Sequence, residues 1–186
     1  MRVYLAGAYS EGKTSLARRI QSRYGITLIP EVARTLLAEW EHKTFDTIRR
    51  EVELVNKFQL EVFDRQFKLE KQIKDNFVSS RCIDNTIFLG KYGTALGELA
   101  SSQKFKEYVE WLKDGTIFYV TPHKELIQDD GIRDTNYLQA VELSGAVRQT
   151  LELLGLKYIT IDSLLAKDRE EIIFRILDYV IADQNQ

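Results

Sequence analysis

Cysteine, proline and long apolar runs are all scarce in this chain, and each scarcity closes off a class of protein. Cys82 is the one cysteine among 186 residues, so no intrachain disulfide can form and the chain suits a reducing compartment. Pro30 and Pro122 are the only prolines, and no Ser/Gly linker, low-complexity stretch or internal repeat marks a domain boundary. No apolar run reaches 18 residues and the first strand pattern begins at residue 2, so neither a membrane span nor a signal peptide is expected and a cytoplasmic location follows. Positive charge is not in excess. The 26 Lys and Arg against 28 Asp and Glu give a net charge of −2, which argues against a dedicated duplex-DNA binder. Histidine is limited to His42 and His123, each isolated, and neither is read as catalytic.

What is present is an ordinary globular composition, 44% hydrophobic and 29% charged, on a length that suits one α/β domain over 1–186. The informative stretch is the first one. Arg2-Val3-Tyr4-Leu5-Ala6 is short, apolar and β-prone; Gly7-Ala8-Tyr9-Ser10-Glu11-Gly12-Lys13-Thr14 fits G-x-x-x-x-G-K-[ST]; and Ser15 to Ile20 has helical composition. Strand, glycine loop and helix in that order form a P-loop. Two glycines let the backbone wrap a polyphosphate, and the helix start adds partial positive charge. Gly7, Ser10, Glu11, Gly12, Lys13, Thr14 and Ser15 are therefore expected to touch ATP, with Lys13 at the β/γ-phosphates and the Thr14 hydroxyl on Mg²⁺.

The rest of the pattern alternates strands with helices. Ile26 to Ile29 reads as a second strand ending at Pro30-Glu31, and ligands in open parallel sheets collect beyond such strand ends, so Glu31 and Arg34 are expected to face the site. A first-turn Glu favoured by the helix dipole is the competing reading. Phe45 to Asp75 reads as a single charged helix with an apolar stripe, its Phe58, Phe63 and Phe67 packed in the core. Phe77 to Ile83 reads as the third strand, delivering Asp84 at its end. An acid beside the P-loop strand holds Mg²⁺ or its waters, although it could also cap the helix predicted from Thr86 to Gly97. A helix over Lys104 to Leu112, a strand over Thr116 to Thr121, a helix to Leu154, a strand over Tyr158 to Ile161 and a helix to Ile181 complete a three-layer α/β/α arrangement around a five-stranded parallel sheet. The loop over 124–136, rich in charge and turn formers, is a lid candidate whose Arg133 could close on the triphosphate.

Together, the Gly7 to Thr14 loop, Pro30-Glu31-Val32-Ala33-Arg34, Ile83-Asp84 and Asp129-Asp130-Gly131-Ile132-Arg133 resemble the P-loop kinase domain of NadR-type ribosylnicotinamide kinases and the phage and bacterial ATPase/kinase proteins grouped with it. The resemblance covers nearly the whole chain in order. It implies a nucleoside- or nucleotide-kinase-like fold with a short lid, and transfer of phosphate from ATP with Mg²⁺ to a hydroxyl of a small nucleoside-type or nucleotide-type acceptor. It places Glu31, Arg34, Asp84 and Asp130 around the acceptor, Thr14 and Asp84 at the metal, and Lys13, Glu31, Asp84 and Arg133 in catalysis. One departure stands at Thr86, where NadR-type proteins carry a second acid. A related phage branch implies 5-hydroxymethyluracil in DNA as an alternative acceptor. A non-kinase ATPase or GTPase switch is a third reading, which the absence of an N-K-x-D guanine motif and of a separate helical domain disfavours.

Overall fold

In a computed structural model the described residues are 1–8, 11–40, 44–126 and 137–184. They form strands β1 (Arg2–Ala6), β2 (Thr27–Ile29), β3 (Phe77–Ser79), β4 (Thr116–Val120) and β5 (Ile159–Ile161). All pair in parallel, in the order β2-β3-β1-β4-β5. The helices are α1 (Lys13–Tyr24), α2 (Val32–Glu39), α3 (Phe45–Arg49), α4 (Val52–Gln72), α5 (Asp84–Tyr92), α6 (Leu96–Ser101), α7 (Gln103–Lys113), α8 (Tyr137–Leu153) and α9 (Ala166–Gln184), with a 3-10 turn at Lys124–Leu126. The expected three-layer α/β/α architecture is present. No described helix is long and apolar enough to cross a membrane.

The period of two in β1 shows how the layers form. Val3 and Leu5 point to one face, where they pack with Leu16, Ala17 and Ile20 of α1 and Ile173 and Leu177 of α9. Tyr4 and Ala6 point to the other, against Phe63 and Phe67 of α4, Leu112 of α7 and Val147 of α8. A strand buried on both faces reads as a continuous apolar run, as this one does. Because β1 lies centrally, with the chain running to β3 on one side and β4 on the other, the loop after β1 opens at the topological switch point.

Three boundaries differ from the sequence reading, and each has a local cause. The expected single helix from Phe45 is two, because Glu51 is extended (φ −123°, ψ 109°) and turns α3 across α4, burying Ile48 and setting Phe45 edge-on to Phe58. The helix after Asp84 breaks at Gly93, where Asn56 Oδ1 accepts from the N–H groups of Thr94 and Ala95 at 2.9 and 3.1 Å. The third strand stops at Ser79 rather than Ile83. Ser79 Oγ donates to Arg81 O at 2.8 Å and accepts from Arg81 N at 3.2 Å, which closes a tight turn and peels the chain off the sheet. Cys82, expected in a strand, is buried in the loop that follows.

Candidate active site

The loop after β1 is shaped by backbone demands that only glycine meets. Gly7 has φ +142°, and a Cβ there would lie 2.3 Å from Glu11 Oε2 and 2.6 Å from Val120 O. Gly12 is left-handed (φ 79°) and starts α1, whose first residues are Lys13 and Thr14. Lys13 is buried and donates from Nζ to the carbonyls of Gly7, at 3.1 Å, and Ala8. Its ammonium thus lies folded along the inside of the loop that would cradle phosphate. Thr14 and Ser15 are exposed at the start of α1.

Glu11 is the loop's electrostatic anomaly. Its carboxylate is buried with Lys13 Nζ 3.9 Å away, and neither oxygen has a hydrogen-bond partner among the described residues. Burial pushes its pKa up to about 7, with Asp84 adding to the rise, while the charges of Lys13 and Arg169 pull the other way. Beneath it lies Arg169, which the sequence reading left unremarked in the last helix. Its guanidinium donates to Glu11 O at 2.8 Å, to Thr121 O at 3.1 Å and to Ser163 O. One buried side chain therefore ties the phosphate loop to the ends of β4 and β5. No local sequence signal distinguishes it from a solvated helix arginine.

On the other side of β1, Glu31, Arg34, Arg81 and Asp84 form one network. Glu31 precedes α2; its Oε2 accepts from Arg34 Nε at 2.8 Å and its Oε1 from Arg81 Nη2. Arg81 also sets Nη1 3.6 Å from Asp84 Oδ1, and Asp84 Oδ2 accepts from Cys82 N at 2.8 Å. Asp84 is the first residue of α5, so the helix start and the loop turn both aim its buried carboxylate. The sequence reading anticipated Glu31, Arg34 and Asp84; Arg81, which joins them, it treated only as a strand residue. Thr86 is turned away, donating to Ile83 O at 2.7 Å.

Asp84 lies between two hollows. One is small and abuts the phosphate loop, with Gly7, Ala8 and Ile87 on its walls. The other is a larger cavity between α2, α3, α4 and α5, walled by rings and aliphatic groups such as Phe45, Phe58, Phe88 and Tyr92, with Arg49, Gln59, Gln66, Arg81 and Asn85 as polar members beside Asp84. Glu31 is not on its wall and reaches it through Arg81. Ser10, Asp130 and Arg133 lie outside the described residues, as does most of the lid over 124–136.

The donors suit the groups that the sequence implies. A loop whose first glycine cannot take a Cβ and whose second opens a helix fits a polyphosphate, and the Thr14 hydroxyl and the Asp84 carboxylate are hard oxygen donors of the kind Mg²⁺ takes while it retains several waters.

The profile of a family described as an AAA domain matches residues 2–169. No curated protein matches the chain. Among solved structures, the NadR protein in complex with NR superposes with a TM-score of 0.68 at 20% identity, covering 88% of this chain and 46% of that one. This chain thus spans under half of the length of that NadR protein. Deoxyadenosine kinase from M. mycoides, with the product dCMP bound, gives a TM-score of 0.63 at 14% identity over 96% of this chain and 100% of the kinase. Shikimate kinase from Acinetobacter baumannii, in complex with shikimate, gives 0.54 at 15% identity over 100% and 95%. At these identities the likeness establishes the fold, which is that of P-loop kinases.

Proposed function

We propose that this chain, which belongs to the AAA domain family and has the P-loop kinase fold, transfers the γ-phosphoryl group of ATP to a hydroxyl of a nucleoside-type or nucleotide-type acceptor. The observation that carries the reading is the position of Asp84, which borders both the hollow at the phosphate loop and the ring-walled cavity. A donor phosphate on one side and an acceptor hydroxyl on the other would meet at this carboxylate. Rings rather than a dense array of cations wall the cavity. That favours an acceptor carrying a planar heterocycle over a small carboxylated polyol.

The residues divide the work by position. The backbone of Gly7 to Thr14 receives the polyphosphate, and Lys13, released from the carbonyls of Gly7 and Ala8, follows the β/γ-phosphates. Thr14 and Asp84 would hold Mg²⁺, which supplies charge neutralisation across the phosphates. Glu31, held through both carboxylate oxygens by Arg34 and Arg81, would orient the acceptor hydroxyl where it emerges past Arg81 at the edge of the cavity and take its proton late. Arg133 and Asp130, which lie outside the described residues, are the sequence-based candidates for contact with the triphosphate and the acceptor. Catalysis by such a set is chiefly positioning and charge stabilisation.

The test is transfer from radiolabelled ATP to nucleosides, nucleoside monophosphates, nicotinamide riboside and 5-hydroxymethyluracil DNA, run with wild type and Glu31→Gln. One free nucleoside or nucleotide should be labelled, and Glu31→Gln should lower kcat by roughly 10²–10⁴-fold with ATP binding unchanged. Labelling of the DNA alone, or only ATP hydrolysis with no acceptor labelled, sinks the reading; normal turnover in Glu31→Gln moves the base elsewhere.

A further inference from the structure

A buried polar hub stands behind the ring-walled cavity. Glu70 of α4 is fully buried and accepts on both oxygens: Tyr4 Oη at 2.7 Å and the Trp111 N–H, which is shared with Tyr4 Oη, at 3.1 Å on Oε2, and Gln66 Nε2 at 2.7 Å on Oε1, with Tyr108 Oη 3.3 Å from Oε1 while it donates to Cys82 O at 3.0 Å. With donors on both oxygens, this group accepts from the Gln66 amide. Nothing in the phosphate chemistry described above uses it.

Its effect reaches the cavity through Gln66. The Gln66 amide makes both of its hydrogen bonds through Nε2, to Glu70 Oε1 and, at 3.3 Å, to Ser79 Oγ. Ser79 Oγ has already given its proton to Arg81 O, so toward Gln66 it can only accept. Both partners of the amide nitrogen are acceptors. Turning the amide over would set its carbonyl oxygen against a carboxylate and a hydroxyl lone pair, two repulsive contacts in place of two bonds. The amide therefore has one orientation, and its Oε1 has no hydrogen-bond partner among the described residues although Gln66 lines the cavity. On the same wall Asn85, also nine-tenths buried, has an amide nitrogen with no partner among the described residues. An acceptor open to the cavity without a partner among the described residues and a sealed donor without one thus share a wall with rings, aliphatic groups, Gln59, Arg49, Arg81 and Asp84, and a ligand that displaces water from them must offer partners.

We propose that Gln66 is a specificity-determining residue whose Oε1 accepts an N–H from the acceptor's planar ring system, with Glu70 as the positioning residue that fixes the polarity of the amide, and Asn85 Nδ2 donating to a neighbouring acceptor atom of the same ring system. The proposal rests on the kinase reading and narrows it. The cavity takes heterocycles with a donor-bearing edge, such as an amino-purine, an amino-pyrimidine or a carboxamide-bearing pyridinium, and rejects the same ring without the donor.

The experiment uses matched ribosides differing only at that edge: adenosine against purine riboside, cytidine against pyrimidin-2-one riboside, nicotinamide riboside against 3-acetylpyridine riboside. Calorimetric binding without ATP and ATP-dependent transfer are both measured. In at least one pair wild type should favour the donor-bearing member by about tenfold or more, since a ring that fills the cavity without a donor leaves the Gln66 carbonyl unpaired. Gln66→Met should bring the two members to within about threefold by weakening the donor-bearing one. Glu70→Gln, which lets the Gln66 amide turn over, should also relax the ratio, an effect that a merely structural hub would not have on two ligands of the same shape. Equal binding within every pair, binding of no member, or a preference that survives Gln66→Met overturns the proposal. Discriminating binding without transfer sinks the kinase reading and leaves this one standing, whereas transfer without discrimination does the reverse.

Discussion

The phosphate side and the acceptor side of Asp84 are made from different materials. The phosphate side comes from one eight-residue stretch, Gly7 to Thr14, and what matters there is backbone: a glycine that cannot carry a Cβ, a left-handed glycine before α1, and N–H groups at a helix start. The acceptor side draws side chains from α2, α3, α4, α5, α7 and the turn before α5, between Val32 and Tyr108, and no positive-φ glycine lies on its wall. A site built from local backbone geometry tolerates few sequences and so is specific for a ligand element that never changes, the polyphosphate. One built from distant side chains can be re-lined position by position, which suits the half of the reaction where kinases of one fold differ.

The sharpest way to break the comparison is to damage one side and look for the effect on the other. Lys13→Ala should reduce phosphoryl transfer by at least roughly 10²–10³-fold, the cost of removing one charge donor from a site where phosphate charge develops. Calorimetric binding of the acceptor without ATP should stay within about twofold of wild type, because Lys13 is folded onto the loop's own carbonyls and is not on the cavity wall. Parallel loss of acceptor binding would mean that the two sides are one cooperative unit.

The reciprocal experiment has a smaller effect. The Tyr92 ring stacks on Phe88 at 6.4 Å and 6° between planes, and Arg49 lies 5.3 Å from its centroid. Tyr92→Leu keeps apolar bulk and removes the aromatic face, so the KM of a heterocyclic acceptor should rise by up to about tenfold, the scale of a lost ring pair. The KM for ATP should not move. A rise confined to ATP would relocate the acceptor.

That asymmetry also explains what the sequence disclosed. The phosphate loop was legible because its signal is contiguous, and the strands because each is apolar on both faces; the order β2-β3-β1-β4-β5 completes what those patterns implied. Asp84 was singled out on a strand boundary that the structure moves. It was expected at a strand end, whereas Ser79 ends the strand five residues earlier and the start of α5 does the aiming. Arg81 and Arg169 were not singled out, since an arginine that bridges two carboxylates or donates to three carbonyls from far along the chain looks, in one dimension, like any solvated charge. Gln66 and Glu70 were hidden in the same way, as polar residues on an apolar helix stripe whose meaning depends on Tyr4, Ser79, Tyr108 and Trp111.

The smallest expected effect tests whether the phosphate loop stores electrostatic strain that the acceptor side lacks. Glu11 is buried without a hydrogen-bond partner among the described residues and faces Lys13, Asp84 and Arg169; its pKa is pushed up from an ordinary 4.5 to about 7. A carboxyl with a raised folded-state pKa binds more protons folded than unfolded in that interval. Its contribution to stability is therefore complete below about 4.5 and is lost as pH rises through about 7. Glu11→Gln preserves the shape and cannot ionise, so it should match wild type near pH 4.5 and melt a few degrees higher at pH 8. Subtracting the two melting curves cancels every other titrating group except those coupled to Glu11. Curves that stay parallel from pH 4.5 to 8 would show that the buried carboxylate is compensated, by Lys13 or by a rearrangement of the loop, and would remove the strain from this side of the comparison. A difference that opens with a midpoint between those values would place it in the phosphate loop, where the arrival of a polyphosphate would draw Lys13 away from Glu11.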